Sequence, residues 1–471
     1  MTAAVRLELP LPRGLAELLA GLRAAGGRPF IVGGSVRDAA LGRPSSGDFD
    51  VEIYGLGPEP LRAALEAAGR VDAVGQAFSV YKVSGLDGLD RAVDVSLPRR
   101  DSKVAAGHRG IAVVGDPELS VAEAARRRDF TLNAMLLDGL SGELLDPWGG
   151  LDDLAQRRLR AVDPASFGED PLRALRAVQL AARFELVVDP ATAALCASMP
   201  VAELPAERIW GEIEKLLLES NRPSVGLRLL MDWGLAAAVA PELVPLVGTP
   251  QDPEWHPEGD VWTHTLLTAD QAAGLREGLD RPRALAVMLG ALCHDLGKPG
   301  TTAIEDGRIR SRGHEEAGVP PTLALLDRWN LHTLLGYDLR GQVVALVANH
   351  LKPGQLYADR SRVSDGALRR LARRCEAELL YRVARADCLG RTGDFRPVAM
   401  EWFLERAREL EVTERPPAPL IRGRDVVALG VAPGPRVGRI LDAVYERQLD
   451  GEIASREQAL QAARSLVGAG G

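Results

Sequence analysis

Asp48 and Asp50 stand one residue apart in the run Asp48-Phe49-Asp50-Val51-Glu52-Ile53, which alternates acidic and apolar residues. That alternation predicts a strand, and residues i and i+2 of a strand share a face. Asp48 and Asp50 therefore project together, while Phe49, Val51 and Ile53 face a core. Two close carboxylates repel unless a cation neutralises them. A divalent pair about 3.5–4 Å apart is their usual partner in phosphoryl chemistry. Asp94, flanked by Val93 and Val95, offers a third carboxylate from an adjacent strand. Upstream, Pro29-Phe30-Ile31-Val32 reads as a short buried strand followed by Gly33-Gly34-Ser35. Ser35 and Asp38 then resemble a capping box opening a helix. Such a glycine turn lets backbone N–H groups approach phosphates. Taken singly, an acidic strand face and a tight turn are ordinary features; their combination points to nucleotide chemistry.

A second set lies far downstream. His264, then His294-Asp295, then Asp387 fall on segments of helical periodicity, and two imidazoles with two carboxylates suit a borderline divalent transition metal. His314 and His350 either complete a second position or orient a phosphate, and Lys298 neutralises phosphate charge. His108, His256 and His332 fit no such pattern and are read as having no role in it.

The elements that must position these residues follow from the chain's texture. Leu15, Leu18, Leu19 and Leu22 recur at helical spacing before Gly26-Gly27, and Arg91-Ala92-Val93-Asp94-Val95 reads as a further strand. From Leu151 onward helical periodicity dominates. Pro-rich breaks at 241–257 and 415–419 divide the remainder. The expected fold class is α+β: a mixed α/β head over 1–150, a helical neck and body over 151–245, a helical region over 250–400 and a helical tail over 401–471. The 471 residues carry a net charge of −8, from 57 basic and 65 acidic side chains, so any nucleic-acid partner must meet local basic patches. Four cysteines without CxxC spacing fit a reducing cytoplasm. No window is apolar enough to span a membrane, and the first residues lack the pattern of a secretion signal.

Gly33-Gly34-Ser35-Val36-Arg37-Asp38 followed by Asp48-Phe49-Asp50 resembles the nucleotidyltransferase superfamily that includes DNA polymerase beta. Arg126-Arg127-Arg128-Asp129-Phe130-Thr131-Leu132-Asn133 is similar to the second motif of class II tRNA nucleotidyltransferases, the CCA-adding enzymes. Asp146-Pro147-Trp148-Gly149-Gly150 is similar to the third, Glu169-Asp170-Pro171-Leu172-Arg173-Ala174-Leu175-Arg176 to the fourth, and Glu207-Arg208-Ile209 with Glu212 to the fifth. The later constellation has the order of the HD phosphohydrolase superfamily. The tail run at 430–438 resembles the ending of bacterial members that carry an HD domain.

The resemblance implies template-independent addition of C, C and A to the tRNA 3′ end from CTP and ATP. It implies Mg2+ held by Asp48 and Asp50, with Asp94 as a third catalytic carboxylate. It also implies a nucleotide site made by Gly33, Gly34, Ser35, Arg37, Arg128, Asp129, Asn133, Glu169, Asp170, Arg173 and Arg176. Asp129 is the natural acceptor for a ribose 2′-hydroxyl. Asp170 and Arg173, three residues apart, would act as a protein template. Arg donates to a ring nitrogen or carbonyl and Asp accepts from an exocyclic amine, a pattern shared by cytosine and adenine but not by guanine or uracil. Asp170 before Pro171 is also a good helix cap. Gln179 replaces an arginine common in the family, and the basic, Gly-containing stretch from Arg99 to Arg109 falls where members carry a flexible loop.

Four rivals remain beside this reading, the weakest a non-enzymatic RNA-binding protein, because paired carboxylates repel phosphate without a metal. A partial enzyme adding only CC or only A would keep the same core residues. A poly(A) polymerase shares the early motifs but not the HD region or tail. An HD-type nucleotide or cyclic-phosphate hydrolase with an RNA-binding head has no need of Asp48 and Asp50. The sequence leaves the oligomeric state open.

Overall fold

The computed structural model describes residues 5–44, 47–74, 80–103 and 111–468. The chain divides into two compact units, Met1–Leu204 and Pro205–Gly471, the division falling inside the segment read as neck and body. The expected α+β class holds.

The first unit is built on strands β1 (Arg28–Val32), β2 (Asp50–Tyr54), β3 (Arg70–Val74), β4 (Val80–Ser84), β5 (Val93–Ser96), β6 (Arg99–Lys103), β7 (Ile111–Gly115), β8 (Leu136–Leu137) and β9 (Leu144–Leu145). Seven form one mixed sheet in the order β3-β4-β5-β2-β1-β8-β9, and β6 pairs with β7 as a separate ribbon. Helix Arg13–Ala24 buries Leu15, Leu18, Leu19 and Leu22, as its spacing predicts. Each buried leucine contributes about 1.5–3 kcal/mol. The helix touches β1 and the helix Pro58–Ala68.

Alternation along β1 and β2 feeds a second cluster. Phe30, Val32 and Tyr54 pack with Leu119, Ala124, Leu136 and Val162. The acidic face of β2 is thus open only at its start: Glu52 and Tyr54, in the same row as Asp50, are buried. The stretch read as a flexible loop is a strand over Arg99–Lys103, paired antiparallel with Ile111–Gly115. Gly107, His108 and Arg109 lie outside the described residues.

The second unit is helical. Helix Arg281–Cys293 is buried on nearly every side, the signature of a central helix, and it delivers His294-Asp295 from its C-terminal end. Asp280 caps its start, and Asp260 caps helix Val261–Leu275, which carries His264. That helix crosses Ala377–Gly390, the helix of Asp387. A Cβ at Gly390 would fall 2.4 Å from Thr268 Oγ1 and 2.9 Å from its backbone nitrogen, so only glycine permits this approach. The tail has its own core, in which Val426, Ile440, Val444 and Ala459 are buried. No helix among the described residues is long and apolar enough to cross a membrane, and all four cysteines are buried free thiols.

Candidate active sites

The head site grows from the β1–turn–helix unit. Gly33 has φ 77° and ψ −136°, a conformation that essentially only glycine adopts. A Cβ there would lie 3.4 Å from Asp50 Oδ2 and 3.8 Å from Arg128 Nη1, filling the space between them. Gly34 opens the helix Gly34–Ala40. The expected capping box does not form. Ser35 lies inside the helix and its hydroxyl donates to the Asp48 carbonyl at 2.5 Å, while Asp38 pairs with Arg37 at 2.8 Å. Ser35 ties the turn to the aspartate run, a tertiary bond that outcompetes the local cap.

Phe49 is buried between Asp48 and Asp50. Asp94 on β5 stands directly opposite Asp50 across a parallel pair, and Lys82 bonds it at 2.9 Å. Enclosure in the cleft pushes the Asp50 carboxyl above its ordinary range, and Asp48 and Asp94 push the same way against the pull of Arg128. The cleft, about 240 Å³, is lined by Asp50, Asp94, Ser96, Arg99, Arg127 and Arg128 among others.

Behind it runs a hydrogen-bonded chain. Arg37 donates to Asn133 Oδ1 (2.9 Å), Asn133 to Asp129 Oδ1 (3.1 Å), and Arg176 Nε lies 2.6 Å from Asp129 Oδ2. Burial opposes the Asp129 charge, but Arg176, Asn133 and the Phe130 N–H outweigh it and hold the carboxyl below its usual range. Arg37 is only 6% exposed and sits over the Phe184 ring at 4.4 Å.

Asp170 and Arg173 lie at the start of helix Leu172–Phe184. Asp170 Oδ1 accepts the Leu172 N–H at 3.1 Å, so its carboxylate does cap the helix. Arg173 donates to the carbonyls of Ser166 and Arg127, each at 2.7 Å. Glu169 sits half-buried in the preceding turn. Gln179 is buried and accepts from Arg183 at 3.0 Å.

In the second unit the four expected residues come together. His264 Nε2 lies 3.1 Å from Asp387 Oδ1, and His294 Nε2 lies 3.1 Å from Asp295 Oδ2. His264, His294 and Asp295 form one group whose ligand atoms lie within 4.8 Å of one another; Asp295, His314 and His350 form another. Neither Asp295 oxygen nor His294 Nε2 makes a well-directed hydrogen bond, although all are buried. Lone pairs converging without hydrogen bonds are what a bound cation would satisfy. Lys298 Nζ stands 2.7 Å from Asp295, and Arg391 3.6 Å from Asp387. Burial works against the Asp295 charge, yet His294 and Lys298 hold its carboxyl well below the usual range. Burial, with His294 and His314 nearby, lowers His350 to about 3, so it is neutral near pH 7; its Nδ1 lies 2.7 Å from the Val347 carbonyl and its Nε2 3.2 Å from His314 Nε2.

Three residues of these sites were not singled out from sequence. Glu52 accepts from Arg128 at 2.7 Å beneath the head cleft; its signal was its place in the Asp48–Asp50 row. His256, read as having no role, lines the HD cleft, and Glu258 Oε1 lies 2.9 Å from His256 Nδ1 and 2.8 Å from His264 Nδ1. Both lie at or next to the Pro-rich break, where no periodicity marks a face.

Residues 29–160 match the family described as Poly A polymerase head domain, 188–246 that described as Probable RNA and SrmB- binding site of polymerase A, and 261–392 the HD domain. A nucleotidyltransferase head carried with an HD module is the class these matches define. The chain is 36% identical to the Multifunctional CCA protein of Xanthomonas campestris pv. campestris, over 88% of this chain and 95% of that one. It is 38% identical to that of Stenotrophomonas maltophilia, over 77% and 86%. In fold it is similar to the Bacillus stearothermophilus CCA-adding enzyme in complex with CTP, with TM-score 0.63 and 22% identity over 97% of this chain and 99% of that one. The Thermotoga maritima CCA-adding enzyme complexed with tRNA gives TM-score 0.60 and 17% identity over 99% and 100%. The chain belongs to the family of the multifunctional CCA proteins and is an enzyme of that nucleotidyltransferase class.

Proposed function

We propose that the chain adds C, C and A to the 3′ end of tRNA from CTP and ATP, without a nucleic-acid template, in the cytoplasm. The head over 1–150 performs the transfer and the neck and body over 151–245 serve the nucleotide and tRNA. The observation that carries this reading is the convergence of Asp50 and Asp94, with Asp48 two residues before Asp50, on a cleft also walled by Arg127-Arg128, with the Gly33 turn beside Asp50.

The carboxylates fit a hard divalent cation, because Asp94 stands opposite Asp50 and Asp48 and Asp94 act on Asp50 as like charges that a cation would neutralise. Asp48 and Asp50, with Asp94, would hold Mg2+, whose chemistry is to favour the nucleophilic form of the tRNA 3′-hydroxyl and to neutralise the departing pyrophosphate. Arg127 and Arg128 supply donors to triphosphate oxygens. Gly33 leaves room for the phosphate beside Asp50. Arg37, Asn133, Asp129 and Arg176, fixed in one chain of bonds, hold the ribose side. Asp170 and Arg173 choose the base. Arg173 spends two of its five N–H groups on backbone carbonyls, which orient the fork and leave donors for a ring acceptor.

The HD region over 250–400 is read as a metal-dependent phosphohydrolase. His264, His294, Asp295 and Asp387 would hold a divalent transition metal, and Lys298 and Arg391 would meet phosphate. His314 and His350 offer a second position through Asp295.

Nucleotide choice tests the assignment of the template. Wild-type protein should extend a tRNA lacking its terminus with C and A and refuse G and U. Arg173→Ala should reduce that selectivity about 5- to 150-fold. Asp170→Ala should also lower helix stability by about 1 kcal/mol, read as a fall in melting temperature. An unchanged four-nucleotide profile in Arg173→Ala would contradict the template.

A further inference from the structure

Glu52 is 1% exposed and lies beneath the head cleft, two residues along β2 from Asp50 and on the same face. A buried carboxylate is costly to hold unless its oxygens are paired. Glu52 is paired on both: Arg128 Nη2 donates to Oε2 at 2.7 Å, with an Arg127 guanidinium nitrogen 3.7 Å away, and the Tyr54 hydroxyl donates to Oε1 at 3.2 Å. The other edge of the Arg128 fork points elsewhere. Its Nη1 donates a long bond to the Asn133 carbonyl at 3.4 Å, and with Asp50 Oδ2 it borders the same point above Gly33, at 3.8 and 3.4 Å. Arg128 therefore stands between two carboxylates on one strand face, gripped by the buried one and facing the open one.

We infer that Glu52 is a positioning residue of the head cleft: it anchors Arg128 from below, so that the guanidinium is presented to a nucleotide's phosphates and does not close onto Asp50. Without this anchor the nearest anion left to Arg128 is Asp50. A fork seated on Asp50 would occupy the carboxylate that must face the cation and withdraw a donor from the triphosphate. Adjacent Arg127 and Arg128 also repel each other, and a shared anion lets both line the same wall.

This inference rests on the nucleotidyltransferase reading, and equilibrium CTP binding keeps the two separable. Affinity is measured with Ca2+ present, without turnover, for wild type, Glu52→Gln, Arg128→Ala and the double variant, alongside melting temperatures. Glu52→Gln should weaken CTP binding about 10-fold. In the Arg128→Ala background the same change should cost less than about 2-fold, because its effect runs through Arg128. A purely structural Glu52 would lower the melting temperature of both backgrounds and leave CTP affinity unmoved; that result, or effects of the two changes that simply multiply, overturns the proposal. Should Glu52→Gln not fold, Glu52→Asp keeps the charge but retracts it, and should still weaken CTP binding about 3-fold or more. Unaltered affinity in a folded Glu52→Asp would then overturn it. A wild type that binds CTP yet adds no nucleotide to tRNA refutes the function instead and leaves the positioning of Arg128 to be read from the same cycle.

Discussion

Asp50→Ala, and equally Asp48→Ala, lowers nucleotide addition at least about 100-fold while the protein stays folded. The expected loss is that of a ligand to a catalytic cation, worth several kcal/mol in the transition state. The core side of the strand is untouched, since Phe49, Val51 and Ile53 are the buried residues there. The contact Asp48 gives to its neighbours is through its carbonyl, which Ser35 retains in the variant. Asp50 carries a further sign. Its folded pKa is raised, so ionising it works against the fold, and stability increases as pH falls through the raised range. Replacing Asp50 at neutral pH should therefore leave the melting temperature equal or higher, whereas a structural carboxylate would show a drop. Residual addition above about a hundredth of wild type would remove these residues from the mechanism.

Asp295→Asn abolishes metal binding and any metal-dependent phosphohydrolase activity of the HD region, and leaves nucleotide addition within about 2-fold of wild type. Asp295 belongs to two of the three candidate ligand groups, the His264–His294 and the His314–His350 ones, so one change disables both of these. Asn is the variant of choice because Lys298, 2.7 Å from Asp295 and donating at 2.7 Å to Gln251, would otherwise be left beside a buried void. The head residues lie within Met1–Leu204 and the HD cluster within Pro205–Gly471. Calorimetric titration with Mn2+ or Ni2+, hydrolysis of a phosphodiester ester and tRNA extension read the three quantities separately. Collapse of extension in a folded Asp295→Asn protein would contradict independent sites.

What could be read from sequence, and what could not, divides along physical lines. The β2 run announces itself because side-chain direction alternates with period two, and the leucines of Arg13–Ala24 because a helix repeats at 3.6. The candidate HD ligands were legible because histidine is rare in this chain and their order is characteristic. Ser35 was misread because its hydroxyl has two possible partners, a local N–H from which it could accept and the distant Asp48 carbonyl to which it can donate, and only folding brings the second close. Arg99–Lys103 was read as loop because it falls where family members carry one and is basic and followed by glycine; its ribbon with Ile111–Gly115 is held by backbone bonds that composition does not reveal. Glu52 was not singled out. Its partners Arg127 and Arg128 come from far along the chain, and its neighbour Tyr54 packs with Leu119, Leu136 and Val162. His256 and Glu258 lie outside any periodic element, and their approach to His264 is wholly tertiary.

The most direct measurement offers purified protein three tRNAs, ending before CCA, after the first C and after CC, each with labelled CTP or ATP. The account predicts C incorporation on the first two, A incorporation only after CC, a completed CCA end when both nucleotides are present, and no further growth. Extension that stops after CC, or A addition to the CC-ended tRNA alone, would mark a partial enzyme. A lengthening homopolymer of A on any of the three, or no extension with all nucleotides present, would contradict the assignment outright.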